Sequence, residues 1–451
     1  MRAEVRRLWR HAAMALLCLG LAGAEPALGS DAVSVATATP RPPVEGAFWG
    51  QHFHRLQGTP VGEAGTTAWP PVQVGALRLW DAGVSWWSIN PEPGVWDFRR
   101  LDVYVNTARA RGARLLYPLA LTPRWASARP AEPCPYNPWG CSAEPRDMAD
   151  FAALVRAVAS RYGDRIEAYE LWNEPGLSEL EIDRRHPLFF TGSVTQLVEM
   201  ARVARAELDA VQPGARLCTP GFVNGPQRLD LFLAAGGKQY VQAICYHFYA
   251  SSVRQSAAEL VKVRAVMQKH GLEHLPLWNT ESGAPMQGEG RNPDDGAALM
   301  AQLHLFGAAA GWSRFFYYAW DNQDTGMLDA DGHWRRAATA YAALQTWVAG
   351  VRFQGCRLLV MKRVPLIACR GERDGEQRLW LWSDGPATAE TSPAELASAL
   401  GLPGATSLRR AQLLFAPAAD RLPAVPEGRL RIGRIPVQLL IAADGSAEPG
   451  R

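Results

Sequence analysis

Past its first two dozen residues the chain of 451 residues lacks any uninterrupted apolar run of the roughly 18 residues a membrane helix needs. No stable membrane insertion is expected once that leader is removed. Excess charge is also missing: the formal net charge is +3, and no basic run is longer than pairs such as Arg99-Arg100 and Arg335-Arg336. Nucleic-acid binders concentrate basic charge in a stripe, so nucleic acid is not the expected partner. Cysteine is scarce at seven, with no CxxC grouping and no accompanying His of a zinc site. Neither a metal nor a cofactor is therefore expected, and His52 and His54 alone are too few ligands to change that.

What is present begins with a leader. Arg2, Arg6, Arg7 and Arg10 precede an apolar stretch from Ala12 to Gly23, and Ala22-Gly23-Ala24 offers a small-residue cleavage site, so residues 1–24 read as a signal peptide. Export to the periplasm or the exterior follows. Residues 25–45 are rich in Pro and Ala with little to bury, and read as a mobile linker. Apolar residues make up 48% and charged ones 20%, enough for a barrel-sized domain plus a smaller one. Of the seven cysteines, removing Cys18 with the leader leaves six, in an oxidising setting. Cys134 and Cys141 bracket a Pro- and Gly-containing loop and are expected to be joined. Cys356 and Cys369 lie on consecutive strand-like segments, Cys218 and Cys245 on predicted neighbours; each pair is either bonded or free.

From residue 46 the pattern alternates short hydrophobic strands with amphipathic helices. The strands are Ala47–His54, Ala76–Trp80, Arg114–Ala120, Ala168–Asn173, Arg216–Pro220, Ala243–Phe248, Pro276–Glu281 and Arg314–Trp320. Helical spacing links them: Asp97 opens a run with Leu101, Tyr104, Val105 and Ala108 on one face, Asp147 and Ser193 open two more, and later runs cover Ala257–His270, Asp295–Gly311 and Ala337–Val348. Eight such units over residues 46–350 predict an α/β fold, a (β/α)8 TIM barrel. A doubly wound open sheet is disfavoured because no Gly-rich phosphate turn follows the first strand. Residues 351–451 change to strand-like pieces between turn clusters, with one short helix at Pro393–Leu400, and predict a small sandwich-like β domain.

Two strands end alike. Tyr169-Glu170-Leu171-Trp172-Asn173-Glu174-Pro175 and Leu275-Pro276-Leu277-Trp278-Asn279-Thr280-Glu281 each carry a carboxylate to the strand tip, the fourth and seventh by count. Catalytic groups of barrels sit at strand ends, and strands four and seven face each other across the ring. A pair of carboxyls so placed is what cleavage of a glycosidic bond requires.

Trp172-Asn173-Glu174-Pro175 resembles the Asn-Glu-Pro motif of clan A glycoside hydrolases. Leu77-Arg78-Leu79-Trp80-Asp81, Trp86, the turn from Glu92 to Asp97, Thr122-Pro123-Arg124-Trp125-Ala126-Ser127 and Tyr246-His247-Phe248-Tyr249 are similar to glycoside hydrolase family 39, over about residues 47 to 330. That resemblance implies a retaining O-glycoside hydrolase with a carbohydrate substrate, Glu174 as acid/base and Glu281 as nucleophile. It also implies that His247 or Tyr249 approaches the nucleophile and that Trp320 floors the sugar site, unless Trp320 only packs in the core. Glu174 is expected to have a raised pKa from burial and from Glu281. Arg78 is expected either to stabilise Glu281 or to pair with Glu170, and Asn173 to hydrogen-bond the sugar 2-hydroxyl. Among the 17 Trp, Trp125 and Trp139, with Tyr136, lie on or near the Cys134–Cys141 loop as candidate outer platforms. A transglycosylase on the same glutamates, a non-catalytic carbohydrate-binding barrel and an envelope structural protein are the competing readings.

Overall fold

The computed structural model describes residues 35–36, 41–60, 65–136, 139–185, 189–286, 292–402, 408–414 and 429–441. The signal-peptide reading of residues 1–24 lies outside them. Eight parallel strands form the barrel: β1 Trp49–Gln51, β2 Ala76–Arg78, β3 Arg114–Pro118, β4 Ala168–Glu170, β5 Arg216–Cys218, β6 Ile244–His247, β7 Leu277–Ser282 and β8 Arg314–Tyr317. The ladder runs β5-β4-β3-β2-β1-β8-β7-β6, and the ring closes through parallel bridges Cys218↔Ala243 and Phe222↔Tyr246. At that seam the Thr219 hydroxyl accepts from Cys245 N at 2.9 Å and donates to Cys245 O at 3.0 Å, standing in for a ladder peptide.

Helices α1 Arg99–Ala110, α2 Met148–Tyr162, α3 Val194–Val211, α4 Gln227–Ala234, α5 Val253–Lys269, α6 Pro293–Ala310 and α7 Arg336–Val348 follow strands two to eight in turn. Their starts have local causes: Asp147, Ser193, Ser252 and Asn292 each accept a first-turn amide, and Ser193 with Gln196 completes a capping box. Asp97 sits one residue outside its helix, whose N-cap is Phe98.

The C-terminal strands are β9 Arg352–Met361, β10 Val364–Arg373, β11 Glu376–Ser383, β12 Ala389–Thr391, β13 Leu408–Leu413, β14 Leu430–Ile432 and β15 Val437–Ile441, with helix α8 at Pro393–Leu400. They form one antiparallel sheet, in which β9-β10-β11-β15-β13 follow a two-residue strand Val35–Ala36, and a second pair β12-β14. Strand alternation gives the larger sheet two buried faces. Leu366, Ala368, Leu379 and Leu381 pack with Leu396, Leu400, Leu430 and Ile432. Their neighbours Ile367, Cys369, Trp380 and Trp382 join the main core of the barrel. Helix α6 lies between barrel and sheet, which is why its residues from Gly296 to Ala310 are all buried and its apolar surface is not confined to one stripe.

The expected linker is a correction. In its described part it is tied to this sheet: Val35 pairs with Cys356, and the amides of Arg41 and Val44 donate to Phe353 O and Val351 O at 2.8 and 3.0 Å. Low apolar content did not leave it free, because backbone groups alone suffice to pair with a sheet edge.

Disulfides join Cys134 to Cys141 and Cys356 to its register partner Cys369, while Cys218 and Cys245 are buried free thiols. Among the described residues no helix is long and apolar enough to cross a membrane. Ending the chain at Gly350 would strip Phe353, Trp380 and Trp382 from the main core. The shortened chain is expected to unfold at a lower temperature and to bind an apolar dye; an unchanged thermal midpoint would contradict a shared core.

Candidate active site

Strand parity sorts the barrel interior. Ala76, Leu116, Ala168, Cys218, Ala243, Cys245, Trp278 and Phe316 fill its lower part as one cluster. Two residues further along the same faces stand Arg78 on β2, Glu170 on β4 and His247 on β6, so the polar groups form the next layer. Glu281 is three residues beyond Trp278 and by parity alone should face away. The β6–β7 register passes from Tyr246↔Asn279 to His247↔Glu281, skipping Thr280. That bulge restores Glu281 to the interior set, directly beside His247. Glu174 reaches the same space differently, at a left-handed φ of 41° with its amide on Gly221 O at 2.9 Å. Asp81 and Leu121, after β2 and β3, are also left-handed, at φ 54° and 66°. Such residues cost about 1–3 kcal/mol each and cluster where function holds the backbone in place.

Arg78 is fully buried and touches four partners. Its Nε and Nη2 donate to Glu170 Oε2 at 2.7 and 2.5 Å, and Nη2 also donates to Asn173 Oδ1 at 2.5 Å. Nη1 donates to Glu281 Oε2 at 2.7 Å and to His52 Nε2 at 3.2 Å. His52 Nδ1 faces the Tyr317 carbonyl at 3.1 Å, which can only accept, so Nδ1 carries the proton. Tyr249 donates to Glu281 Oε1 at 2.9 Å, and Glu174 Oε1 is hydrogen-bonded to His247 Nδ1 at 2.9 Å. A carboxylate oxygen of Glu174, one of Glu281 and a ring nitrogen of His247 all lie within 4.8 Å of one another.

Burial pushes the Glu174 and Glu281 carboxyls up to about 7. Arg78 opposes the rise in both, and the Tyr249 hydrogen bond does so only at Glu281. Burial, helped by Arg78, takes His247 down to about 4, so its ring is neutral near pH 7. For Arg78 burial disfavours the charge, but Glu170 and Glu281 outweigh it and the guanidinium stays protonated. Three buried carboxyls thus face one cation. Glu174 alone of the three has no contact with Arg78, so the proton the group must retain is held there.

Of the sequence-predicted residues, Arg78, Asn173, Glu174, His247, Tyr249 and Glu281 come together. Arg78 takes both of its alternative partners, and the two candidates on the sixth strand divide, Tyr249 to Glu281 and His247 to Glu174. Asn173 is buried, and its Nδ2 has no hydrogen-bond partner among the described residues. Trp320 does not join this group and is a correction. Only 1% exposed, it packs among Phe53, Trp334 and Tyr341, leaving no open face to floor a sugar. The ring that meets this group is Tyr318, edge-on to His52 at 5.2 Å and donating to Asp81 Oδ2 at 2.5 Å. Tyr136 donates to the other Asp81 oxygen at 2.8 Å. Sequence reading missed the roles of Asp81, Tyr318 and His52; the polar residues flanking the first and second strands were the available signal.

Glu174, His247 and Glu281 have the spacing of a metal site. Arg78, 2.7 Å from Glu281, already supplies the positive charge and would repel a second cation. Gly221 packs beneath: a Cβ there would lie 2.4 Å from His247 Nε2 and 2.9 Å from Glu170 Oε1.

No protein-family model matches the chain, and no curated protein does. Among solved structures, a family 39 glycoside hydrolase from the gut symbiont Bacteroides cellulosilyticus superposes with a TM-score of 0.58 at 17% identity, covering 82% of this chain and 76% of its own. A family 39 β-xylosidase from Caulobacter crescentus gives 0.55 at 16% identity, with 90% and 98% covered. A family 30 endoxylanase from Clostridium papyrosolvens gives 0.56 at 14%, with 91% and 98% covered. The fold is therefore that of a (β/α)8 barrel with an appended β domain, similar to clan A glycoside hydrolases.

Two outcomes follow from the buried charges. The folded Glu174 pKa, about 7, lies above its ordinary 4.5, so the native state binds more protons than the unfolded one between those values. Stability from this group then falls as pH rises from about 4.5 to 7, and Glu174→Gln should raise the thermal midpoint at pH 7–8 with no gain near pH 4. A gain of equal size at both pH values would contradict it. Gly221→Ala, by displacing His247 from Glu174, should lower the thermal midpoint while circular dichroism remains native in form; an unchanged midpoint would show that the ring has room to move.

Proposed function

We propose that this chain is a retaining O-glycoside hydrolase. The observation that carries the reading is the approach of Glu174 and Glu281, oxygen atoms within 4.8 Å, at the C-terminal end of the barrel strands. Retaining pairs stand about 5–5.5 Å apart and inverting pairs about 6.5–9.5 Å, so the spacing favours direct attack. Unequal surroundings support the roles. Glu281, bonded to Arg78 and Tyr249, is the anion and nucleophile; Glu174, beside neutral His247, is the acid.

In the first step a Glu281 oxygen bonds to the anomeric carbon as the glycosidic C–O bond breaks, and the Glu174 proton passes to the departing oxygen. Water then gives a proton to Glu174 and its oxygen to the anomeric carbon, releasing Glu281. Asn173 Nδ2, without a partner among the described residues, is available to a sugar hydroxyl in both steps. Names of similar structures include a β-xylosidase and an endoxylanase, which makes plant-type β-glycans the first substrates to try. Two disulfides suit an oxidising compartment, in keeping with export to the periplasm or beyond.

Glu281→Ala and Glu174→Ala should each lower kcat on an aryl glycoside by at least about a thousandfold. Azide should rescue Glu281→Ala to a glycosyl azide of inverted configuration and Glu174→Ala to one of retained configuration; the reverse pattern would exchange the roles. Activity of the wild type should fall on the alkaline side near pH 7 as Glu174 loses its proton. Glu174→Gln should lose that limb.

A further inference from the structure

Trp139 is 54% exposed, although the residues that follow it are fixed in place. Gly140 has φ 84°, its amide donates to Glu132 O and its carbonyl accepts from Ser127, each at 2.8 Å. A Cβ on Gly140 would come within 2.9 Å of Pro130 Cα, so this backbone lies tight against the segment below it. Cys141 is fully buried and bonded to Cys134.

On the other side the loop is tied to the hollow. Tyr136 donates to Asp81, whose second oxygen takes the Tyr318 hydroxyl, and its ring meets Trp80 edge-on at 5.6 Å. Burial and Asp81 hold the Tyr136 hydroxyl in its protonated form, and a charge on Glu281 or Glu174 would reach it too. Trp139 follows Tyr136 by three residues, so their Cα atoms are at most about 11 Å apart. An indole kept in water on a pinned backbone contributes little to the core, but it is already arranged to stack on a flat apolar surface such as the C–H face of a sugar ring.

We propose that Trp139 is the platform of an outer sugar subsite and Tyr136 its link to the catalytic hollow, so that the substrate is an extended saccharide chain reaching beyond the sugar at the cleavage point. This rests on the glycosidase reading above. A short aryl glycoside does not reach the platform, whereas a polymer does.

The test compares soluble xylan, xyloglucan and galactomannan with an aryl glycoside. Trp139→Ala should lower the ratio of kcat/KM on the polymer to that on the aryl glycoside about tenfold, mainly through KM, and Trp139→Phe should recover most of the loss. An unchanged ratio would overturn the proposal. Binding is read separately by affinity electrophoresis on a Glu281→Gln background, where no turnover intervenes. There Trp139→Ala should migrate faster through at least one polysaccharide gel; equal retardation, or none of the parent by any of the three, overturns the platform. A wild type that is retarded but hydrolyses nothing removes the glycosidase reading while leaving the platform in force.

Discussion

Arg78 has five N–H groups, and they are matched by five contacts: two with Glu170, and one each with Asn173, Glu281 and His52. A buried guanidinium is tolerable only when satisfied in this way. Because its fork is planar and rigid, it also fixes where its partners stand relative to one another. Through it β1, β2, β4 and β7 are referred to a single point. The orientation of Glu281, the shared acceptor at Asn173 and the tautomer of His52 all follow from that point.

Charge then does what geometry alone does not. One guanidinium cannot hold three carboxylates ionised in a buried hollow, and the shortfall falls on the carboxyl farthest from it. Two chemically identical side chains are given unlike surroundings, one held by Arg78 and a phenol and the other by a neutral imidazole, and the proposed division into acid and nucleophile rests on that difference. Asp81 extends the same economy to the rim, where it gathers the hydroxyls of Tyr136 and Tyr318 from separate loops.

Much of this was legible beforehand. The eight strands announced themselves by short apolar runs, and Glu174 and Glu281 by their position at the tips. Helix starts at Asp147 and Ser193 followed from capping chemistry, while α4 was not foreseen. Three features were hidden for physical reasons. In Phe315-Phe316-Tyr317-Tyr318-Ala319-Trp320 every residue but one is aromatic, so period two gives no contrast and the inward ring could not be told from the outward one. The clasp at Asp81 joins loops more than fifty residues apart. The segment before residue 46 pairs through its backbone, about which side-chain composition is silent.

The skipped register at Thr280 deserves its own reading. Facing in a strand is a two-valued property, and a single uncounted residue decides it for Glu281. Pairing β7 without that skip would leave the apolar wall of β7 below it in place while turning the carboxylate toward the helices, away from Arg78. Whether that carboxylate faces the interior is therefore set by the pairing of its strand, and can change with no substitution at Glu281 itself.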